Sequence, residues 1–313
     1  MISLSVASRS FSKHPILREK VLSLYPDAKF NDEGLSLYGD SLVNFLKGSE
    51  MAITALEEIN EDVLKQLPEL RVIGKYGVGL DMIDLNALSE YGVSLGWKGG
   101  VNKRSVSELV ISSAIALLHK STIANNRVKK GSWNQIRGRQ LTGKTVGIIG
   151  CGNIGKDLIS LLKPYKCKIL SNDILDFPDF YEANDIVACE LNDLLSLSDV
   201  VTLHLPLNES TYQIINTERL NLMKQDSVLI NYARGGLIDE SALDELIKVN
   251  KFSGVALDVF EHEPPVDTYL SNYENVFVTP HIGGSTEEAV LSMGLSAIEG
   301  LQSPSDPSKF IGK

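Results

Sequence analysis

Three polar residues in the carboxyl-terminal half have the side-chain types needed to bind an organic acid and move a proton. Arg234, Glu263 and His281 each follow an apolar run typical of a strand, at the position where ligands of parallel α/β sheets gather. The planar guanidinium of Arg234 suits the carboxylate and the adjacent carbonyl oxygen of a 2-oxo acid. His281 supplies a general acid or base, and Glu263 would fix the tautomer of its imidazole.

Each of these residues, taken alone, also has a structural explanation. His281 could be a hydrogen-bonded core histidine, Glu263 a charge at a helix start, and Arg234 a polar residue of a surface turn. Their shared position after strands of one predicted sheet favours a common catalytic role. His204 ends another predicted strand and could face a bound cofactor. No group of His, Cys and Asp residues has metal-ligand spacing, so no metal is expected.

A glycine-rich turn, Gly-Cys-Gly-Asn-Ile-Gly at residues 150–155, follows a predicted strand and opens a predicted helix. Gly150 permits the tight turn, Gly152 the close approach of a pyrophosphate, and Gly155 the close packing of helix and strand. Asp173 ends the next predicted strand, where a carboxylate binds ribose hydroxyls and repels a 2′-phosphate. The motif therefore predicts an NAD site, and NADP is the alternative.

The elements that must position these residues form two successive α/β patterns. Up to about Trp97, short apolar runs alternate with helix-like stretches, and Glu108 to Leu118 is predicted as one long apolar helix. From Thr145 onward, near-continuous Val, Ile and Leu predict strands covered on both faces, with helical crossovers between them. These strands are 146–149, 169–172, 200–205, 228–231, 255–259 and 276–279. The tail after Gly300 is expected to be loosely held.

The composition disfavours several classes of protein. With 313 residues, 43% of them hydrophobic, the chain can form two medium-sized cores. A formal net charge of −10 disfavours binding to nucleic acid or to a membrane surface. No apolar run approaches the ~18 residues of a membrane span. The amino terminus lacks a signal-peptide core, and the cysteines have no CxxC spacing. We therefore expect a cytoplasmic protein.

Six segments resemble the D-isomer-specific 2-hydroxyacid dehydrogenases, and among these the D-3-phosphoglycerate dehydrogenase branch is most similar. They are residues 77–84, 102–108, 150–155, 231–236, 257–264 and 279–286, so the likeness runs nearly end to end. It implies that Arg234 clamps the substrate, that Glu263 and His281 are the acid/base pair, and that the N–H groups of Val78 and Gly79 hold the substrate carboxylate. It also implies cofactor contacts at Gly150, Gly152, Asn153, Ile154, Gly155, Asp173, His204, Tyr232, Ala233, Asp258 and Gly284.

The resemblance implies an architecture of two Rossmann-like α/β domains with a cleft between them. Residues 1–98, completed by 285–313, would form a flavodoxin-like substrate-binding domain, and residues 99–284 a doubly wound NAD-binding domain. The implied activity is that of an NAD-dependent oxidoreductase, which interconverts a small D-2-hydroxy acid and its 2-oxo acid, in a homodimer. The alternative from another class is a corepressor-like protein that senses NAD(H) on the same fold.

Departures from the family pattern bear on the substrate. Phosphoglycerate dehydrogenases usually carry an Arg in the stretch aligned with Ile53 to Glu58, where this chain has Thr54 and two glutamates. Phosphorylated and unphosphorylated substrates therefore both remain open. The possible counter-charges are Lys75, Lys98, Lys103 and Arg104, together with Arg137 and Arg139 of the basic stretch 120–144, which could serve a neighbouring subunit.

Two further activities and one regulatory feature are disfavoured. Relatives that oxidise formate replace the residue equivalent to Glu263, and phosphite oxidisers carry a lysine where Val78 stands. The resemblance ends after one helix beyond residue 286, so we expect no carboxyl-terminal regulatory domain and no feedback by serine.

Overall fold

The protein divides into two compact units in the computed structural model, which describes residues 3–265 and 269–311. The first unit combines Met1–Asn102 with Glu287–Lys313, and the second is Lys103–Thr286. The domain boundaries predicted after residues 98 and 284 each lie a few residues before the points where the chain passes between the two units.

The first unit is built on a five-stranded parallel sheet. Its strands are β1 (Leu4–Val6), β2 (Lys29–Phe30), β3 (Met51–Thr54), β4 (Val72–Lys75) and β5 (Ser94–Gly96). Its first five helices are α1 (Arg9–Lys13), α2 (Pro15–Leu24), α3 (Gly39–Leu46), α4 (Glu61–Leu64) and α5 (Leu85–Glu90). The strand order β2-β1-β3-β4-β5 is the flavodoxin-like order.

The second unit contains a seven-stranded parallel sheet. Its strands are β6 (Thr145–Ile149), β7 (Lys168–Asn172), β8 (Ile186–Ala188), β9 (Val200–Leu203), β10 (Ser227–Asn231), β11 (Phe252–Leu257) and β12 (Val276–Val278). Its helices are α6 (Lys103–Leu118), α7 (Ser121–Lys129), α8 (Asn153–Leu162), α9 (Pro178–Ala183), α10 (Leu191–Leu197), α11 (Thr217–Leu222) and α12 (Glu240–Lys248). The order β12-β11-β10-β9-β6-β7-β8 reverses between β6 and β9, and such a switch point is where doubly wound sheets bind ligands.

Burial on both faces explains the apolar composition of the central strands. All residues of β9, β10 and β11 are buried, and separate apolar clusters cover the two faces of this sheet. The six predicted strands are present with small shifts at their ends. Strand β8 was not predicted, because its apolar run is short and only Ile186 of its three residues is buried.

The carboxyl-terminal residues are more ordered than expected. Helix α13 (Glu287–Gln302) packs against β4 and β5 of the first sheet. A Cβ on Gly96 would lie 2.3 Å from the backbone of Gly300, so glycine is required for this close approach. Beyond the helix, Ser305 pairs with Leu95, and the ring of Phe310 meets that of Trp97 edge to face at 5.2 Å. The expectation of a loose tail was therefore wrong as far as residue 311.

By length and composition, none of the described helices could cross a membrane by itself, whereas α6 and α7 pass the same test together, with a 67° bend between them. Helix α6 packs against β10 and β11 in the second unit.

Candidate active site

His281 and Glu263 form a hydrogen-bonded pair on two loops of the second unit. The imidazole Nδ1 of His281 lies 2.7 Å from Oε2 of Glu263. The other carboxylate oxygen, Oε1, accepts a hydrogen bond from the backbone N–H of Phe260 at 3.1 Å. The carboxylate is thus fixed between the ring and the main chain. Because Nδ1 faces Glu263, Nε2 is the ring nitrogen that can exchange a proton with a substrate.

The turn that carries His281 is held in an uncommon conformation. His281 has a φ of 53°, in the left-handed region, and its N–H donates to the backbone oxygen of Asp258 at 2.9 Å. The buried carboxylate of Asp258 accepts hydrogen bonds from the N–H groups of Ile282 and Gly283, both at 2.7 Å. It also accepts one from the Thr279 hydroxyl at 2.5 Å. These bonds stabilise a backbone that is otherwise costly.

Arg234 lies on the turn after β10, and a close backbone contact brings this turn to the Glu263 loop. The Asn231 amide donates to the carbonyl oxygen of Arg234 at 2.8 Å. A Cβ on Gly235 would lie 1.9 Å from the carbonyl oxygen of Phe260, so only glycine allows the two loops to touch. The guanidinium and the His281–Glu263 pair therefore belong to adjoining loops at the carboxyl edge of the sheet.

The glycine turn after β6 has the geometry of a phosphate cradle. Gly150 has a φ of 98°, and a Cβ on Gly155 would lie 2.3 Å from the carbonyl oxygen of Gly150. A Cβ on Gly152 would meet nothing within 4 Å, so its backbone borders open space. Gly152 caps helix α8 without a side-chain hydrogen bond, which leaves the first helical N–H groups, from Asn153 and Ile154, to a ligand.

Asp173 closes this turn on its other side. Its carboxylate accepts hydrogen bonds from the N–H groups of Cys151 at 2.6 Å and Leu175 at 2.9 Å. A cavity of about 260 Å³ adjoins it, lined also by the acidic residues Asp176 and Glu190. No lysine or arginine occurs among the described residues that line the cavity, so a 2′-phosphate would meet uncompensated negative charge.

His204 borders the same turn. A Cβ on Gly150 would lie 2.5 Å from the carbonyl oxygen of His204, and the ring Nε2 lies 3.1 Å from the Thr202 hydroxyl. Burial lowers the pKa of His204 to about 3, so its imidazole is neutral. Its Nδ1 is buried and has no hydrogen-bond partner among the described residues. The glycine cradle, Asp173 and this orphaned nitrogen together fit a bound dinucleotide.

The side chains of two residues named from the sequence, Tyr232 and Arg104, bond to other side chains of the second unit. The side chain of Tyr232 is buried and its hydroxyl lies 2.5 Å from that of Ser113, so only its backbone, like that of Ala233, can face a cofactor. Arg104 forms a two-pronged ion pair with Asp157 on α8, with both N···O distances at 2.9 Å. That guanidinium is thus already matched to a carboxylate. Gly284 adjoins the turn that Asp258 holds, and its cofactor contact stays a prediction.

Val78 and Gly79 lie in the first unit, in the loop after β4. The loop contains Gly77, whose φ of 128° suits glycine, and the indole N–H of Trp97 donates to the carbonyl oxygen of Val78 at 3.1 Å. This bond fixes the peptide group to which the Gly79 N–H belongs. Their contact with substrate stays a prediction.

Sequence reasoning did not single out several residues that support the site. Phe260 contacts Gly235, and Thr279 donates a hydrogen bond to the carboxylate of Asp258. The Ser105 hydroxyl donates to the carbonyl oxygen of Gly283 at 2.5 Å. Thr279 and Phe260 stand in segments that carry the family resemblance, so attention to their neighbours could have found them. Ser105 stands in such a segment too, residues 102–108. Among residues 3–265 and 269–311, no three His, Cys, Asp or Glu side chains are grouped to hold a metal ion.

A doubly wound parallel sheet with this glycine turn, Asp173 and a histidine–glutamate pair defines a dinucleotide-binding α/β protein. Residues 111–283 match the family model described as D-isomer specific 2-hydroxyacid dehydrogenase, NAD binding domain. The chain belongs to this family. The predicted family, the two parallel α/β sheets and NAD(H) as cofactor are thereby confirmed.

Relatives and solved structures agree with this assignment. The D-3-phosphoglycerate dehydrogenase of Methanocaldococcus jannaschii is 34% identical over 287 residues, which are 90% of this chain and 55% of that protein. The hydroxypyruvate reductase of Thermotoga maritima is 35% identical over 258 residues, 80% of this chain and 82% of that protein. The structure of Aquifex aeolicus D-lactate dehydrogenase with NAD and lactic acid superposes with a TM-score of 0.82 at 27% identity, covering 96% of this chain and 94% of that one.

The lengths of the relatives differ from that of this chain. The chain spans about half the length of the phosphoglycerate dehydrogenases that it matches in Methanocaldococcus jannaschii and Archaeoglobus fulgidus. The relatives are named as a phosphoglycerate dehydrogenase, a hydroxypyruvate reductase and a glyoxylate reductase, so they differ in substrate.

Proposed function

We propose that the protein is an NAD-dependent dehydrogenase that interconverts a small D-2-hydroxy acid and its 2-oxo acid. The single observation that carries the proposal is the 2.7 Å contact between His281 Nδ1 and Glu263 Oε2, on a loop that touches the Arg234 turn. An imidazole oriented by a carboxylate beside a guanidinium has the groups that this reaction needs.

Each residue has a defined task in this proposal. The bound nicotinamide supplies the hydride acceptor or donor. During oxidation Nε2 of His281 accepts the hydroxyl proton, and during reduction it returns a proton to the carbonyl oxygen. Glu263 holds the ring in the correct tautomer and stabilises its protonated form. Arg234 binds the carboxylate and the reacting oxygen, and the N–H groups of Val78 and Gly79 hold the carboxylate.

Steady-state kinetics on two variants test the assignment. We expect His281→Ala to lower kcat by about 10²–10⁴, the usual contribution of a general acid. Arg234→Ala should lower kcat/KM by about 10²–10³, as for loss of an oxyanion donor. Both variants should bind NADH as the parent does. His262→Ala is the matched control, because this exposed histidine lies in the same loop as Glu263. Full turnover in either active-site variant would refute the proposal.

The same assay separates the enzyme from an NAD(H)-sensing protein. A sensor would bind NADH, detected by fluorescence titration, yet would oxidise no NADH with any 2-oxo acid. The intact His281–Glu263 pair favours the enzyme, since a sensor has no use for an oriented proton donor.

We further propose a cytoplasmic homodimer. The cysteines Cys151, Cys167 and Cys189 are free, which suits a reducing compartment, and cell fractionation tests the location.

Helix α7 has no buried residue, and after it Trp133 is 85% exposed, which favours burial of this segment by a second copy. Light scattering should show a dimer that Trp133→Glu converts to monomer, while Leu197→Glu, at an exposed position of the same unit, leaves it intact. A monomeric parent contradicts the dimer.

A further inference from the structure

The carboxyl-terminal segment of the first unit is fixed along strand β5 and beside helix α5. Leu95 and Ser305 exchange two backbone hydrogen bonds, with both N···O distances at 2.9 Å. The segment then forms a short 3-10 helix, Pro307–Phe310, which packs against α5 and buries Pro307. These contacts give the ring of Phe310 a defined position.

The ring of Phe310 contacts Trp97, whose indole in turn binds the loop after β4. The two rings meet edge to face, with centroids 5.2 Å apart and planes at 75° to each other. The indole N–H donates to the carbonyl oxygen of Val78 at 3.1 Å. Trp97 directly follows β5, which is paired with β4, so its side chain needs only to reach the neighbouring loop. Phe310, Trp97 and the Val78–Gly79 peptide group therefore form one continuous row of contacts.

We infer that Trp97 and Phe310 are positioning residues for the substrate carboxylate, and that Phe310 acts through Trp97. The inference rests on the proposed function, in which the N–H groups of Val78 and Gly79 bind that carboxylate. The carbonyl oxygen of Val78 and the N–H of Gly79 belong to one planar peptide group, so the bond that holds the oxygen also sets the direction of the N–H. A hydrogen bond accepted by the oxygen also polarises the peptide and makes its N–H a stronger donor.

Two features of the loop favour this role over simple packing. Among the described residues, nothing accepts a hydrogen bond from the N–H of Val78 or of Gly79, so both donors are left to a ligand. The contact with Val78 also depends on the indole nitrogen, whereas packing against the apolar cluster of this sheet needs only a large apolar ring. The donor at position 97 therefore serves the loop, and the ring serves the core.

Steady-state kinetics on variants of the full chain test the inference, with NADH and the 2-oxo acid on which the parent has its highest kcat/KM. Trp97→Phe keeps a ring and removes the donor, so KM should rise about threefold to tenfold, the usual effect of one hydrogen bond. The kcat and the Kd for NADH should stay parental, because the carboxylate is bound alike in the ground state and the transition state. Phe310→Ala should raise KM in the same way, and Phe310→Tyr, which keeps the ring, should not.

A double variant tests whether Phe310 acts through the indole. In a Trp97→Phe background there is no indole N–H to position, so Phe310→Ala should add nothing to the rise in KM. If the two effects multiply instead, Phe310 acts independently of Trp97, and that part of the inference is overturned.

Phe45→Ala is the matched control, because Phe45 packs against the same apolar cluster as Trp97 and Phe310. It should lower the Tm and leave KM unchanged, which separates carboxylate positioning from a general loss of packing. A parental KM in both Trp97→Phe and Phe310→Ala, or an equal rise in Phe45→Ala, would overturn the inference while the proposed function stands. If the parent reduces no 2-oxo acid, the proposed function fails, and the inference fails with it.

Discussion

The backbone carbonyl oxygen of Asp258 accepts a hydrogen bond from the N–H of His281 at 2.9 Å, and so ties the end of β11 to the turn after β12. The carboxylate of the same residue binds the next two N–H groups, from Ile282 and Gly283. One buried aspartate thus determines where the imidazole stands. A residue expected to contact the cofactor therefore also positions His281, the proposed proton donor.

Asp258→Asn should damage both stability and turnover. In the variant, the side-chain amide nitrogen of the asparagine is a donor and would face N–H and O–H donors that now bind the carboxylate. A buried donor left without an acceptor costs about 1–3 kcal/mol. We expect a loss of this size in the free energy of unfolding, measured in urea, together with a lower kcat. Thr279→Val removes only the hydroxyl donor and should have a smaller effect on both. A parental kcat in Asp258→Asn would show that the aspartate does not position His281.

Two glycines of the turn after β6 should respond differently to alanine, one through stability and the other through cofactor affinity. Gly155→Ala places a Cβ 2.3 Å from the Gly150 carbonyl oxygen, so it should cost about 1–3 kcal/mol of stability. Gly152→Ala meets nothing within 4 Å, so it should leave the Tm unchanged and raise the Kd for NADH by about tenfold, or ~1.4 kcal/mol. Thermal melts and fluorescence titration measure the two effects. Unchanged NADH affinity in Gly152→Ala would contradict the assignment of this glycine turn as a phosphate-binding site.

The sheet of the second unit could be predicted because its signal is local. Residues 228–231 form one continuous apolar run that ends in Asn231, and burial on both faces requires such a run. The order of the tail depends instead on the contact between Phe310 and Trp97, which lies in the first third of the sequence. No local pattern reports a contact between residues so far apart, so the sequence alone does not predict an ordered tail.

The residues of the proposed active site could be named for a related reason. Arg234, Glu263 and His281 follow strands that a parallel sheet aligns at one edge, so topology alone brings them near one another. The supporting contacts could not be named. Ser105 donates to the Gly283 carbonyl oxygen across 178 positions of sequence, and the contact of Gly235 with Phe260 depends on backbone conformation.

The half-buried His204, whose Nδ1 is buried, should make the protein less stable in mild acid. Its pKa is lowered to about 3 in the folded state, whereas an unfolded histidine has a pKa of about 6.5. Below pH 6.5 the unfolded chain therefore binds a proton that the folded protein does not, and stability falls as pH falls toward 3. We expect a contribution of up to about 2 kcal/mol to be lost between pH 7.5 and 5. Urea unfolding of the parent and of His204→Gln at both pH values measures it. An equal loss in both proteins would contradict the prediction.

Glu263→Gln should remove catalysis while leaving the fold and cofactor binding intact. Its side chain is 36% exposed, so the substitution buries no new polar group and should hardly change the Tm. The neutral amide no longer stabilises a protonated His281 and can present its N–H₂ to Nδ1, which selects the wrong tautomer. We expect kcat to fall by about 10²–10⁴, with NADH affinity unchanged. Glu261→Gln is the control, because this neighbouring carboxylate accepts from the Tyr212 hydroxyl at 2.8 Å, away from the imidazole. If Glu263→Gln retained the kcat of the control, the histidine would act without a carboxylate partner, and the 2.7 Å contact would have no catalytic meaning.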